Sequence, residues 1–554
     1  MSAVGQVTEL LSMIGVIADA SEHHVIREFF ELFKTPWELY RSGRRYDVII
    51  CSGDGTIPHN SAKLILIYAG RQISLDTNRE IEVISRAAEK TFLLCQDIRV
   101  PIYGECVTFS ERRADFLQDK GSAKAAMHVE QSPLGLRVRL GYDLFGEVRT
   151  LLTVGQPAAN AGVPALELHI DILRKLIVSG GVPLLEISPA PEGYRFIACL
   201  THDVDHPSIR NHFFDHTMFG FLYRALIGSI TRVCRGRNTL HDLLSNWWAV
   251  AKLPFIYLGI AKDIWSIVDS YASVEKELPS SFFVIPFRDC PGWLSDVAAP
   301  KRRASSYRAA DIALELRSLS AAGREIGVHG IDAWHDPNKA RSELEEISRI
   351  TGTSNMGIRM HWLYYDQESP AVLESVGFDY DSTVGYNETV GYRAGTTQAY
   401  RPLGCKRLIE LPLHIMDTAL FYPSYLNLHS TEAGKLVSSI IDNAVQFGGV
   451  VTVNWHDRST APERCWADFY INVVRELKNR GAWFATAADA VAWFRKRREA
   501  IPQKFTGETD LSNVNAAVGS SKSLPALHLQ LHHSRKSTDI YNLTHNSSVE
   551  SHAH

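Results

Sequence analysis

From about residue 191 onward, short apolar runs recur, and most of them stop at polar or ionisable residues. "FIACL" gives way to THDVD, "SFFVIPF" to RDC, "EIGV" to HGIDAWHD and "MGI" to RMHW. "VGFDY" leads to DST, "RLIELPLHI" to MD, "GGVVTVNW" to HDR, and "AWFATA" runs into a helix through Arg498. Helical stretches such as "AADIALELRSLSAAG" and "KARSELEEISRI" separate several of these runs. Strands covered on both faces read as unbroken apolar runs, and their alternation with helices predicts a parallel sheet or barrel. Chemistry gathered where strands end is what a β/α barrel displays.

The segment before this rhythm, residues 1–190, reads as a separate α/β unit of unassigned role. "RYDVIICSG" and "KLILIYAG" predict buried strands, while "DTNREIEVISRAAEKTFLL" and "ALELHIDILRKLIVSGG" carry helical spacing. "LLSMIGVIADA" near the N-terminus predicts a helix, because no basic segment precedes it as in a signal peptide. "SGDGT" at Ser52 lacks both the P-loop lysine and the dinucleotide-binding glycine spacing, so it reads as a turn. About 75 residues separate the first two barrel strands. They predict a helical insertion over roughly 207–277, containing "FLYRALIGSITRVCRGR" and "LLSNWWAVAKLPFIYLGIAKDIWSIV". Its aromatic stripe is expected to pack onto the barrel, with peripheral membrane contact as the other reading. The barrel domain is placed at 191–499, and residues 500–554 read as a polar, disordered tail.

A chain of 554 residues exceeds one ordinary core, which fits two domains and a tail. Its 45% hydrophobic and 22% charged residues are those of a globular protein, and a net charge of −4 argues against a general nucleic-acid binder. Eight scattered cysteines without a C-x-x-C pair predict free thiols in a reducing, cytoplasmic compartment. No apolar run is long enough to span a bilayer.

The densest chemistry lies in "THDVD". Residues two apart on an extended segment point the same way, so Asp203 and Asp205 face one pocket. Two neighbouring carboxylates stay ionised only beside a cation or an arginine. The alternative is a plain loop in which one acid caps a helix and the other meets an arginine. His329 follows the apolar run of "REIGVHGIDAWHD", with His335 six residues on; imidazole and carboxylate together suit zinc and similar divalent ions. His456 in "GGVVTVNWHDRS" also ends a strand, where an imidazole can give a proton to a leaving group. Arg359 in "GIRMHWLYYD" is placed to pair with the free aspartate. Each of these also has a structural reading, as a histidine bonded to a neighbouring carboxylate or an ordinary salt bridge.

Taken together, these stretches resemble the polysaccharide deacetylases, the NodB-homology or carbohydrate esterase family 4 group, over about Tyr194 to Arg498. THDVD is similar to that family's first motif, and HGIDAWH, GIRMHW and VNWHDR stand where its histidine, arginine and terminal histidine motifs stand. The resemblance implies a distorted (β/α) barrel of about seven strands and a hydrolase removing N- or O-linked acetyl groups from a carbohydrate. It implies Asp203 as base, Arg359 as its orienting partner and His456 as acid. It further implies a divalent metal, zinc by donor type, on Asp205, His329 and a third group, activating a water as nucleophile. The family's second imidazole stands four residues after the first, where this chain has Ala333. His335 is therefore the expected third ligand, with His361 behind it; His361 stands where the arginine motif has proline.

Two rival readings remain at this point. D-x-D also chelates the metal of a nucleotide-sugar in glycosyltransferases, although that reading leaves His329 and His456 without a role. A barrel with an altered metal site could instead bind glycans or proteins without catalysis.

Overall fold

The run Phe196–Val204 (β1) is buried along its whole length, because parallel neighbours flank it on both edges. In the computed structural model, residues 12–500 are described apart from 56–61, 86–90, 111–115, 133–134, 237, 267–270, 272–273 and 295–296, together with residues 524–533. The strands beside β1 are Ser281–Val284 (β2), Glu325–Gly330 (β3), Gly357–Met360 (β4), Tyr380–Asp381 (β5), Ile409–Glu410 (β6), Ile415–Met416 (β7), Val450–Asn454 (β8) and Ala482–Ala485 (β9). They form one sheet in the order β6-β5-β4-β3-β2-β1-β8-β7, with β9 beside the first half of β1. Every pairing in it is parallel.

Strands β6 and β7 are the two ends of one extended segment. Leu411 N donates to Asp381 O and Leu413 N to Val384 O on one edge, and His414 N donates to Thr452 O on the other. The segment thus ties the sheet's two edges together, and the sheet curls around its own core. Nine short strands make up this sheet, where the sequence predicts about seven.

Helices cover the outside by burying one face each. Pro337–Thr351 buries Ala340, Glu343, Ile347 and Ile350 at helical spacing. Asp336 starts this helix by accepting from Asn338 N and Lys339 N, and Gly352, at φ 76°, ends it. Gly357 opens β4 without a side chain because a Cβ there would lie 1.9 Å from Tyr380 Cζ.

Between β1 and β2 stand the helices His216–Tyr223, Ser229–Cys234 and Leu240–Tyr257, the first two joined by a π-helical turn, Arg224–Gly228. Their inner faces pack Ile209, Phe221, Ala225, Ala249, Leu253 and Ile256 around Trp265. The aromatic stripe expected to pack onto the barrel does so only in part, since Trp247, Trp248 and Phe255 lie on the exposed face.

The N-terminal part carries a six-stranded sheet with its own core. Its order is Met127–Ser132, Gly135–Leu140, Leu64–Tyr68, Val48–Ser52, Ile14–Ile17, Trp37–Leu39. It seats on the barrel through buried polar bonds. The Glu167 carboxylate accepts from Thr396 Oγ1 (2.6 Å) and Thr397 N (3.0 Å), and Gln156 Nε2 donates to Tyr392 O (2.6 Å).

Three expectations need correction. Ile14–Ile17, read from sequence as part of a helix, is a strand between two parallel partners; residues 10–11 of that stretch lie outside the described residues. In "DTNREIEVISRAAEKTFLL" the helix Ser74–Asn78 ends early and Val83–Ser85 and Thr91–Cys95 are strands, with 86–90 outside the described residues. Within the segment read as a disordered tail, Leu527–His532 is a strand antiparallel to Leu184–Pro191. Residues 501–523 and 534–554 of that tail lie outside the described residues. None of the eight cysteines, all of them among the described residues, is in a disulfide, and no helix among the described residues is long and apolar enough to cross a membrane.

Candidate metal centre

Strands β1, β3, β4 and β8 all point the same way, so their C-terminal ends deliver side chains to one place. β1 carries Asp203 next to its end and leads to Asp205, β3 carries His329, β4 carries Arg359 and leads to His361, and His456 follows β8. These residues, Arg359 excepted, line one open cleft of about 480 Å³. Arg359 lies beneath its floor, fully buried.

Asp203 is fixed on both oxygens. Arg359 Nη1 donates to Oδ1 (3.0 Å) and Asn454 Nδ2 to Oδ2 (2.7 Å). Arg359 is itself held by bonds to Thr201 Oγ1 (2.8 Å), Ser382 Oγ (2.9 Å) and Ser382 O (3.0 Å), and its guanidinium lies over the Phe283 ring. Burial works against ionising Asp203, but His329, Arg359 and His456 outweigh it and hold the carboxyl below its ordinary range.

Asp205 is in a different position. Its Oδ1 is buried without a hydrogen-bond partner, 3.4 Å from His329 Nε2 and 3.4 Å from His361 Nδ1. These two ring nitrogens are 3.0 Å apart. His329 Nδ1 faces the Arg359 carbonyl oxygen (2.9 Å) and so carries the proton, which leaves Nε2 as a bare lone pair. Burial pushes His361 down to about 3, which keeps its imidazole neutral.

Asp205, His329 and His361 thus converge as one carboxylate and two imidazoles, with all donor atoms within 4.8 Å of one another. Tetrahedral ligands at roughly 2.0–2.1 Å from zinc stand about 3.3–3.4 Å apart, close to the separations found. The orphaned Asp205 oxygen gives a second reason that these residues fit a divalent cation.

His335, the third ligand expected from sequence, is not among them. Its Nε2 lies 3.5 Å from Asp332 Oδ1 and its ring packs on Trp334, because the chain turns there into the helix capped by Asp336. His361 takes the place beside His329. The two residues after it, Trp362 and Leu363, are held at φ 61° and 53°, left-handed conformations that cost energy for such side chains.

On the far side of Asp205, His456 Nε2 stands 3.9 Å from Oδ2. Its Nδ1 bonds to Asp417 Oδ1 (2.6 Å), and its backbone N–H donates to Asp417 Oδ2 (2.7 Å). Burial alone would lower His456; the carboxylate and hydrogen bond of Asp417, with Asp205 and Asp203 behind, push it up to about 10. Neither Asp417 nor Asn454 is singled out by the sequence reading. Asp417 carries the same signal as Asp203, an acid closing an apolar run, and Asn454 ends the run before His456.

No family model matches the chain, and no curated protein matches it. Among solved structures, a candidate polysaccharide deacetylase from Mycobacterium smegmatis is 19% identical, covering 57% of this chain and 97% of that one at a TM-score of 0.34. Puue allantoinase is 13% identical over 56% of this chain and 94% of its own, also at 0.34. A family 4 acetyl xylan esterase from Clostridium thermocellum, in complex with a cobalt ion, is 13% identical over 54% and 91%, at 0.26. Likenesses this low do not assign a family, and the functional reading is built on the site itself.

Proposed function

We propose that the cleft hydrolyses acetyl groups, N- or O-linked, from a carbohydrate, with the aid of a divalent cation. The observation that carries this reading is the meeting of Asp205 Oδ1, His329 Nε2 and His361 Nδ1 on the floor of the cleft, between a carboxylate and an imidazole that are each held independently. Asp205, His329 and His361 would hold the cation, zinc by donor type. When bound, it would supply a Lewis acid for the acyl oxygen and lower the pKa of water toward roughly 7.

The chain's own residues divide the proton work. Asp203 takes the proton of the attacking water, because Arg359 and Asn454 keep it ionised and aimed. As the acyl C–N or C–O bond breaks, His456 gives a proton to the departing amine or alcohol from Nε2, its Nδ1 being committed to Asp417. Aromatic rings of Trp362, Tyr364, Tyr422 and Tyr425 line the same cleft among polar groups, a lining suited to a sugar ring. The carbohydrate half of the reading rests on this lining and on the motif resemblance.

The nucleotide-sugar alternative would need Asp203 and Asp205 to share one cation. Asp203 has both oxygens engaged by Arg359 and Asn454, which favours the hydrolase. Acetate release from acetylated chito-oligosaccharides and acetylated xylan tests the proposal. Release by the native protein and its loss in Asp203→Asn is the expected result; no release from either substrate by metal-loaded protein would overturn it.

A further inference from the structure

The helical insertion between β1 and β2 is apolar on both faces but covered on only one. In Leu240–Tyr257, Asn246, Ala249, Leu253 and Ile256 are buried, while Leu240, Leu244, Trp247, Trp248 and Phe255 form the opposite stripe and are 44–69% exposed. The first helix pair repeats the pattern: Phe221 and Ala225 face in, and Phe219, Tyr223, Leu226, Ile227 and Ile230 face out. Of the 22 exposed large apolar residues among those described, 14 fall between Phe213 and Ile260, so the exposure is concentrated in this insertion rather than scattered. A helix apolar all round is stable only when both faces are covered.

Charge says what covers this one. Residues 213–260, the span of this patch, hold five Lys and Arg against two Asp, in a chain whose net charge is −4. Trp, Tyr and Phe interleaved with Lys and Arg on an apolar face is the composition of a helix lying in the interface of an anionic bilayer. Lys252 Nζ stands over the Trp248 ring in this way. The same insertion walls the cleft with His216, Thr217 and Arg224, and Arg224 keeps Nε and Nη2 buried without a partner, a place for an anionic group.

We propose that the insertion docks on an anionic lipid surface and presents the cleft to it. Taken with the hydrolase reading, on which this last step rests, the preferred substrate is an acylated sugar carried on a lipid, turned over faster than a free soluble glycan.

The test is co-sedimentation of the full chain with vesicles of phosphatidylcholine alone or with phosphatidylglycerol added. Native protein is expected to pellet with the anionic vesicles and far less with the neutral ones. The variants Trp247→Glu/Trp248→Glu and Leu240→Glu/Leu244→Glu are expected to lose tenfold or more of that binding while keeping native circular dichroism. Native protein left in the supernatant, or folded variants that bind like native, would overturn the proposal. So would a native dimer that both variants turn into monomer with no vesicle binding, which would make this face an interface between copies. Acetate release from a water-soluble acetylated oligosaccharide is measured on the same proteins. Vesicle binding without any such release sinks the hydrolase reading and leaves the docking intact.

Discussion

Arg359 Nη1 stands 3.0 Å from Asp203 Oδ1, and neither residue touches the three donors of the candidate metal centre through that bond. The Asp203 side chain can therefore be altered without removing a donor of the cation site. Asp203→Asn keeps size and one of the two accepting oxygens but cannot take a proton. It is expected to lower kcat about 10²–10⁴-fold while metal content, measured by elemental analysis, stays at the native level. Equal turnover in the variant would remove Asp203 from the base role.

Asp417 acts on the reaction only through His456, which it orients and holds protonated. In Asp417→Asn the main group raising His456 is gone, so the imidazole loses its proton at lower pH. The alkaline limb of the kcat–pH profile is expected to move to lower pH, with kcat reduced about tenfold or more. An unmoved limb would show that His456 is not the acid.

Glu186 links the barrel's entry to the C-terminal strand. Arg174 holds it with two bonds, Nε to Oε2 (2.8 Å) and Nη2 to Oε1 (2.9 Å), and His532 Nε2 lies 3.2 Å from Oε2. Burial pushes the carboxyl up, but Arg174 and His532 hold it down at about 2, against 4.5 for an ordinary glutamate. A depressed carboxyl stabilises fully above the unfolded value and loses that contribution as pH falls from about 4.5 toward 2, worth about 3 kcal/mol here. Arg174→Leu is expected to lower the urea midpoint clearly at pH 7 and much less at pH 3. A pH-independent difference would contradict this account.

Gly357 sets the approach of β4 to its neighbour. Gly357→Ala drives a methyl group into the Tyr380 ring, two residues before Arg359. It is expected to destabilise the fold by about 1–3 kcal/mol, read as a lower denaturation midpoint. An unchanged midpoint would mean that β4 and Tyr380 can separate without cost.

The barrel strands are legible in the sequence because parallel strands covered on both faces carry unbroken apolar runs, and β1, β2, β3, β4 and β8 do so. "IGVI" fails as a signal for the same reason that makes it a good strand: four apolar residues carry no period that separates strand from helix. Leu527–His532 is visible in retrospect as the alternating "LHLQLH", hidden by the polar residues around it. Asp203, Asp205, His329, Arg359 and His456 can be picked out because each stands at or just past a strand end. His361 and His335 cannot be ranked that way. Spacing along the chain favours His335, but the backbone turn after β3 and the left-handed pair Trp362–Leu363 after β4 decide which ring reaches Asp205. Tertiary geometry of that kind has no period to read.

The most direct test of the central claim is metal content per chain in native, His361→Ala and His335→Ala protein, purified together and loaded with zinc. The account expects close to one equivalent in the native protein, loss in His361→Ala and retention in His335→Ala. Retention in His361→Ala with loss in His335→Ala would contradict it.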